Sequence, residues 1–200
     1  SILTPQGKTL TQIRRMPSHG NDVDLLARYN DLCRRLCREV PPLEEARERL
    51  DHITATPRHY SLGIMLLAHY VASAAFAIFF GGDLWDAFCS GFCGIAICLS
   101  NELLSHAETN PYFDTMIGAI VSAFLALILV HVGLGHHSQY IIIGAFMALV
   151  PGILFTNALR DVMVRDMVSG ISKVGDALFI GVMAALGTAL ALGLAGFLGV

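Results

Sequence analysis

Several ionisable residues directly follow an apolar segment long enough to cross a bilayer. Residues 141–173 read IIIGAFMALVPGILFTNALRDVMVRDMVSGISK, and a Pro-Gly pair at Pro151–Gly152 interrupts the apolar run. Transporters use such breaks to turn backbone dipoles toward a solute at membrane depth. Charged groups at the centre of a membrane helix cost about 2.5–3.5 kcal/mol each on insertion scales, so they are usually paired and functional. The segment therefore predicts a solute site.

The candidate binding groups are Asn157, Arg160 and Asp161, whose i, i+3, i+4 spacing predicts that they share one helix face. Arg160 could bind a carboxylate through its planar fork, and Asp161 could hold Arg160 or accept an ammonium group. Such a set suits an amino acid or a small organic anion. The same residues also fit a second interpretation, in which Arg160 and Arg165 anchor the helix at the membrane surface, Asp161 and Asp166 are their solvated partners, and the Pro-Gly pair is a simple kink.

Three further residues are candidates for a pathway or for ion coupling. Asp166 follows the candidate site, Glu102 lies near the end of the second apolar span, and His131 is a single polar residue on an apolar face. Histidine titrates near neutral pH and could serve a proton-coupled cycle, although a packed, hydrogen-bonded histidine explains His131 as well. His136 and His137 fall in a predicted loop and are expected to have no special role.

The composition predicts an integral membrane protein. Of 200 residues 54% are hydrophobic and only 14% are charged, and the apolar residues fall in long blocks. Blocks of about 20 residues match the thickness of a bilayer. Asp114 and Asp176 are expected to cap the third and fifth spans. The sequence thus predicts an all-α fold with five transmembrane helices, at about 60–80, 85–103, 114–133, 139–159 and 175–198.

Residues 1–59 are predicted to be a cytoplasmic segment, the remnant of an amino-terminal domain, and residues 60–200 the transmembrane domain. The first segment holds ten of the thirteen Lys and Arg residues. Because basic residues stay inside, we expect a cytoplasmic amino terminus and an outside carboxyl terminus. A short strand is predicted at Thr9–Arg15, with its partners expected outside this chain. A helical hairpin should follow, beginning near Asn21 and broken at Pro41–Pro42.

Other classes of function find no support in the sequence. It contains no Walker loop, HExxH or GxSxG motif, so we predict no enzyme, cofactor or metal. The basic residues near the amino end are a juxtamembrane signature, and no nucleic-acid partner is expected. The five cysteines are predicted to be reduced packing residues, because three of them lie in an apolar span.

An ordered series of motifs resembles the threonine/serine exporter family of bacterial membrane proteins. The series runs through TLTQIRRMPSHG, NDVDLLARYNDLCRRL, PPLEEARERLDHI, the GGD after span one, NPYFDT and finally VPGILFTNALRDVMVRDMVSGISK. The last segment is similar to the family's most specific motif, a Pro-Gly pair followed by Asn, Asp and a later Ser-Gly. The resemblance covers nearly the whole chain.

The resemblance implies a multi-pass protein of the inner or plasma membrane that exports threonine or serine, driven by the proton-motive force. It also implies a partner, a smaller second-module membrane subunit, within a homo- or hetero-oligomer, and a chain shortened at its front. Export of a C4-dicarboxylate such as succinate is the first alternative, and a non-transporting scaffold subunit is the second. The expected substrate-binding residues are Pro151, Gly152, Asn157, Arg160 and Asp161.

Overall fold

A computed structural model describes residues 2–3, 9–10, 23–55, 60–105 and 109–199. The chain divides into two compact units, Ser1–His59 and Tyr60–Val200.

The first unit contains two short strands and two helices. Strands β1 (Ile2–Leu3) and β2 (Thr9–Leu10) pair in antiparallel register, with Ile2 opposite Leu10. The prediction that the strand's partners lie outside this chain was therefore wrong, because β1 is the partner of β2. Residues 11–15 of the predicted strand lie outside the described residues. Helices α1 (Val23–Glu39) and α2 (Leu43–Ala55) follow.

Helices α1 and α2 form the predicted hairpin. Two prolines, Pro41 and Pro42, separate them, and a proline cannot continue the hydrogen bonding of a helix. The guanidinium of Arg49 on α2 donates to Glu39 at the end of α1 and to Glu45 on its own helix, at 2.8 and 2.7 Å. Leu32 is the buried residue of α1. The hairpin is thus closed by both apolar packing and ion pairs.

The second unit is all helical. Within the described part of the chain, four of its helices are long and apolar enough to cross a membrane: α3, α4, α5 and α8. The observed helices are α3 (Leu62–Phe79), α4 (Leu84–Ser105), α5 (Pro111–His131), α6 (Ser138–Phe146), α7 (Gly152–Met163) and α8 (Met167–Leu198).

Two predicted spans differ from the observed helices. The span predicted at 139–159 is not one helix, because it is divided between α6 and α7, and neither half is long enough to cross a bilayer. The span predicted at 175–198 begins eight residues earlier, at Met167. Asp176 consequently lies inside α8 and does not cap it. The ionisable residues between these two predicted spans therefore lie mostly in α7 and α8, on either side of the short turn that separates the two helices.

The interruption between α6 and α7 lies where the Pro-Gly pair predicted it. Residues 147–149 form a turn after Phe146, and Pro151 precedes the first residue of α7. Proline has no backbone N–H and fixes its own φ, so it cannot continue α6, but its carbonyl can start a new helix. The Pro151 carbonyl accepts the N–H of Phe155 at 3.0 Å.

Helix α4 lies at the centre of the second unit and packs against α3, α5 and α6. Its face toward these helices is built from small and medium-sized residues. Membrane helices gain little from the hydrophobic effect between them and associate through close packing instead. The central cluster consists of Cys89, Cys93 and Ile97 of α4, Ala126 of α5, and Ile141 and Ala145 of α6.

Glycines allow the closest approaches. A Cβ on Gly94 of α4 would lie 2.2 Å from Ser73 Oγ and 2.7 Å from the carbonyl of His69, both on α3. A Cβ on Gly144 of α6 would lie 2.8 Å from Ala77, also on α3. Any larger residue at Gly94 or Gly144 would push the helices apart.

Helices α5 and α8 run in the same direction. Near the start of α5, the Tyr112 hydroxyl donates to Asp176 Oδ1 at 3.1 Å, in the first third of α8. Further along both helices, a Cβ on Gly187 would lie 2.4 Å from the Met116 carbonyl. Two contacts in the same order along both chains require parallel helices.

Candidate functional site

The ionisable residues of the predicted site are arranged around one buried carboxylate, that of Asp161. Asp161 lies on α7, is only 7% exposed, and faces α8. Its Oδ2 accepts the ammonium of Lys173 at 2.5 Å and the hydroxyl of Ser169 at 2.9 Å. A buried carboxylate requires such partners, because an unpaired charge away from water is costly. We refer to this arrangement as the Asp161–Lys173 pair.

A tight turn brings α7 and α8 together. Arg165 adopts a left-handed backbone conformation with φ +66°, and the side chain of Asp166 accepts the N–H of Ser169 at 3.3 Å, which caps α8. Gly170 allows the helices to touch, since a Cβ there would lie 2.5 Å from a methyl of Val162. The Ser-Gly element of the motif therefore has two parts: Ser169 binds Asp161, and Gly170 permits the approach.

The predicted binding residues do not all point the same way. Asp161 is buried, whereas the Arg160 side chain is 75% exposed and its guanidinium lies 3.9 Å from Asp161 Oδ1. Asn157 is half-buried one turn earlier. Arg160 and Asp161 are adjacent on α7 and about 100° apart around its axis, so Asp161 lies in the contact with α8 while the Arg160 side chain is exposed beside it. Pro151 and Gly152 lie at the start of the same helix.

The other candidate residues lie apart from the Asp161–Lys173 pair. Asp166 caps α8 and is exposed. Glu102 is exposed in the last turn of α4, and His131 is the exposed last residue of α5. Neither Glu102 nor His131 is among the described hydrogen-bond or ion-pair partners of Asp161.

A second polar cluster joins the loop before α4 to the loop that follows α5. Asp83 directly precedes α4 and Asp86 lies in its first turn, while His136 and His137 precede α6. Asp86 is fully buried, and its Oδ1 accepts the backbone N–H groups of His136 and His137 at 2.8 and 3.0 Å. Its Oδ2 accepts His137 Nδ1 at 2.9 Å, while His136 Nδ1 donates to Asp83. We call these four residues the aspartate–histidine cluster. The expectation that His136 and His137 have no special role was wrong.

Comparison with known proteins decides the family. The family model of threonine/serine exporters matches residues 1–195 of the chain. The chain belongs to the threonine/serine exporter family. It is also similar to a probable threonine/serine exporter of Mycobacterium tuberculosis, with 19% identity over 180 residues, which cover 90% of this chain and 34% of that protein. No solved structure matches the chain.

Membership in this family confirms the resemblance that the motifs of the sequence suggest. The chain spans about a third of the length of the mycobacterial relative. The four apolar helices agree with a location in a membrane.

Several polar residues that the structure brings together were not predicted from the sequence as parts of one site. Ser169, Lys173 and Asp176 lie on α8 at i, i+4 and i+7, the spacing of a single helix face. That face contacts Asp161 on α7 and Tyr112 on α5. The spacing was visible in the sequence, but the assumption that α8 begins at residue 175 placed Ser169 and Lys173 in a loop.

The ligand types in the aspartate–histidine cluster raise the question of metal binding. Ligand atoms of Asp83, Asp86 and His136 lie within 4.8 Å of one another. A carboxylate offers about four acceptor positions, however, and all four on Asp86 are occupied, the fourth by the N–H of Asp83 at 3.3 Å. Asp83 also accepts the N–H of Asp86, at 2.8 Å, which completes a reciprocal helix cap. The cluster is therefore a closed hydrogen-bonded network.

Proposed function

We propose that this chain is the membrane module of an exporter for threonine or serine, driven by the proton-motive force. The observation that carries the proposal is the Asp161–Lys173 pair, which joins α7, the helix directly after the α6–α7 interruption, to α8. Interrupted helices followed by paired charges are how secondary transporters bind polar solutes within a bilayer. Family membership supplies the substrate class.

The chemistry of the pair suits a zwitterion. An amino acid needs a cation for its carboxylate and an anion for its ammonium group, and Lys173 and Asp161 provide one of each. The side chain of Lys173 is 37% exposed, so a substrate carboxylate could reach its ammonium from the open side. Ser169 offers a hydroxyl at the same oxygen of Asp161 and could exchange it for the hydroxyl of the substrate. Substrate binding would then replace the contacts of Asp161 with Lys173 and Ser169 by equivalent contacts with the substrate.

The exposed Arg160 extends this site toward the solvent. Its guanidinium is 3.9 Å from Asp161 and keeps its bidentate face available for a substrate carboxylate. We infer that Arg160 is the first residue to meet the substrate, and that Lys173 receives the carboxylate afterwards. Asn157 and the backbone groups freed at Pro151 would contribute further hydrogen bonds along α7.

We infer five crossings, and the parallel course of α5 and α8 supports this inference. Two consecutive crossings in the same direction need a return between them, and α6 with α7 is the segment available. Helix α6 has nine residues, about 13 Å, which is less than half of a bilayer core of about 30 Å. We therefore infer that α6 and α7 together form one broken crossing.

Orientation and partners remain as the sequence suggests. The basic residues of the first unit favour a cytoplasmic amino terminus, and the aspartate–histidine loops, which contain no Lys or Arg, favour the outside. The carboxyl terminus would then also lie outside. A smaller second-module membrane subunit completes the exporter, and little transport is expected without it.

Proteoliposomes provide the test. The chain is reconstituted with and without the candidate second-module subunit, and flux of threonine, serine and succinate is measured under an imposed pH gradient. The proposal expects threonine or serine flux that requires both subunits and depends on the gradient. Succinate flux alone would favour the dicarboxylate alternative. Unchanged flux from a reconstituted complex that carries Asp161→Asn and Lys173→Gln together would favour a scaffold role for this chain.

A further inference from the structure

The aspartate–histidine cluster holds the start of the broken crossing in place. The backbone N–H groups of His136 and His137, immediately before α6, both donate to Asp86. Tyr140 of α6 lies against the α3–α4 loop, where a Cβ on Gly82 would be 3.0 Å from the Tyr140 Cβ. The start of α6 is therefore attached through the carboxylates of Asp86 and Asp83, through the contact of Tyr140 with the α3–α4 loop, and through the Ser90 hydroxyl, which donates to the Ile141 carbonyl at 3.1 Å.

Within the two segments that form the cluster, histidine is the residue type that can balance the charges of the aspartates. Neither the α3–α4 loop with the first turns of α4, residues 80–90, nor the loop before α6, residues 131–141, contains Lys or Arg. The titratable groups that face the cluster are Cys89 on α4 and Tyr140 on α6, and both are neutral when protonated. The two carboxylates consequently carry a net charge of about −2 when both histidines are neutral, and about zero when both are protonated.

Contacts between the two loops also shift the pKa values of His136 and Asp83. The hydrogen bond and charge of the Asp83 carboxylate raise the pKa of His136 above its ordinary 6.5. The N–H of Asp86, and then the side chain of His136, lower the pKa of Asp83 below its ordinary 3.8. The ion pair between Asp83 and His136 is therefore complete between about pH 4 and 6.5. It is lost as the pH rises through the raised pKa of His136, or falls through the lowered pKa of Asp83.

We propose that the aspartate–histidine cluster is a proton-binding site that faces the outside, and that protonation of His136 strengthens the attachment of the start of α6 to the α3–α4 loop while loss of that proton weakens it. The proposal rests on the proposed function for the outward orientation and for the role of protons as coupling ions. An acidic medium outside the membrane keeps His136 protonated. Weakening of this attachment then changes the position of the interruption that ends at Pro151, thirteen residues along the chain from Ser138 at the start of α6.

Amide hydrogen exchange of the full chain in nanodiscs tests the proposal without any substrate. The reporters are the N–H groups of His136 and His137, whose protection depends on Asp86. After correction for the intrinsic tenfold change in exchange rate per pH unit, protection of residues 133–140 should fall between pH 6 and pH 8.5. The fall should be about tenfold for each unit by which pairing raises the pKa of His136.

Three variants separate this proposal from a purely structural cluster. His136→Gln keeps an N–H donor without a charge and should give low, pH-independent protection. Asp83→Asn keeps the helix cap, because Asn caps as well as Asp, and should also remove the pH dependence. His69→Gln on α3, where Nδ1 bonds the Met65 carbonyl at 2.9 Å, should retain the wild-type profile.

Each outcome decides the question. A flat wild-type profile overturns the proposal, and so does an unchanged pH dependence in both His136→Gln and Asp83→Asn. If His136→Gln loses protection throughout α4 and α5, it has unfolded, and Asp83→Asn then gives the answer. A pH-dependent wild-type profile in a chain that exports no threonine or serine with its partner would leave the proton site intact and reject the proposed function alone.

Discussion

Replacing Lys173 by glutamine should destabilise the second unit measurably. The change leaves the Asp161 carboxylate, whose side chain is 11% exposed, with the Ser169 hydroxyl and a distant Arg160. Removing one partner of a fully buried ion pair costs about 3–5 kcal/mol. Lys173 is 37% exposed and Ser169 remains bound, so we expect about 1–3 kcal/mol, near the cost of one unsatisfied buried acceptor.

A loss of this size should lower the melting temperature by about 2–12 °C, since each kcal/mol corresponds to about 2–4 °C in a domain of this size. Far-ultraviolet circular dichroism of the purified chain in detergent measures it. Arg165→Gln is the matched control, because it removes the same charge from an exposed position in the adjacent turn and should cost less than about 0.5 kcal/mol.

A double variant distinguishes the charge from the fold. Asp161→Asn combined with Lys173→Gln leaves two amides that can bond each other and removes the unpaired charge, so stability should return to within about 1 kcal/mol of wild type. Amino-acid flux should stay absent, because neither amide carries the charge that a zwitterion needs. A Lys173→Gln chain that melts at the wild-type temperature, or a double variant no more stable than the single one, would refute this reasoning.

Three shorter predictions follow. Arg160→Lys keeps the charge but loses the planar fork, so it should impair export severely with normal membrane insertion; full activity would remove Arg160 from the site. Gly94→Ala forces a methyl against Ser73 and should cost about 1–3 kcal/mol in thermal unfolding. Gly193→Ala is the control, because open space surrounds Gly193, and it should change stability by less than about 0.5 kcal/mol. Equal effects of the two substitutions would contradict the packing of α4 on α3. A reporter fused to the carboxyl terminus should be active only when outside the cytoplasm; cytoplasmic behaviour would reverse the orientation.

Much of the helical fold could be predicted from the sequence because apolar blocks have a required length in a bilayer. The limits of α3, α4 and α5 lie within three residues of the predicted spans. The interruption before Gly152 was also predictable, since a proline cannot donate the backbone hydrogen bond that a continuous helix needs. Both inferences depend on local chemistry alone.

The candidate site was only partly predictable. Asp161 was identified because an ionisable residue in an apolar run is costly and needs a partner. The sequence left its partner open, as Arg160 or an ammonium group of the substrate, whereas Lys173 on the next helix binds it. The turn between α7 and α8 brings Lys173 to Asp161. The separation of the two residues along the chain does not predict this contact.

The sequence by itself determined that this chain is a membrane protein, where most of its helices lie, and where the apolar run at 139–159 is interrupted, because these features depend on composition and on the backbone of single residues. Only the tertiary structure decided which charges meet. His136 and His137 looked unimportant in the sequence because Asp83 and Asp86 precede them by about fifty residues. Buried carboxylates take whichever donors the packing of distant helices brings within hydrogen-bond distance, and that packing is a property of the whole fold.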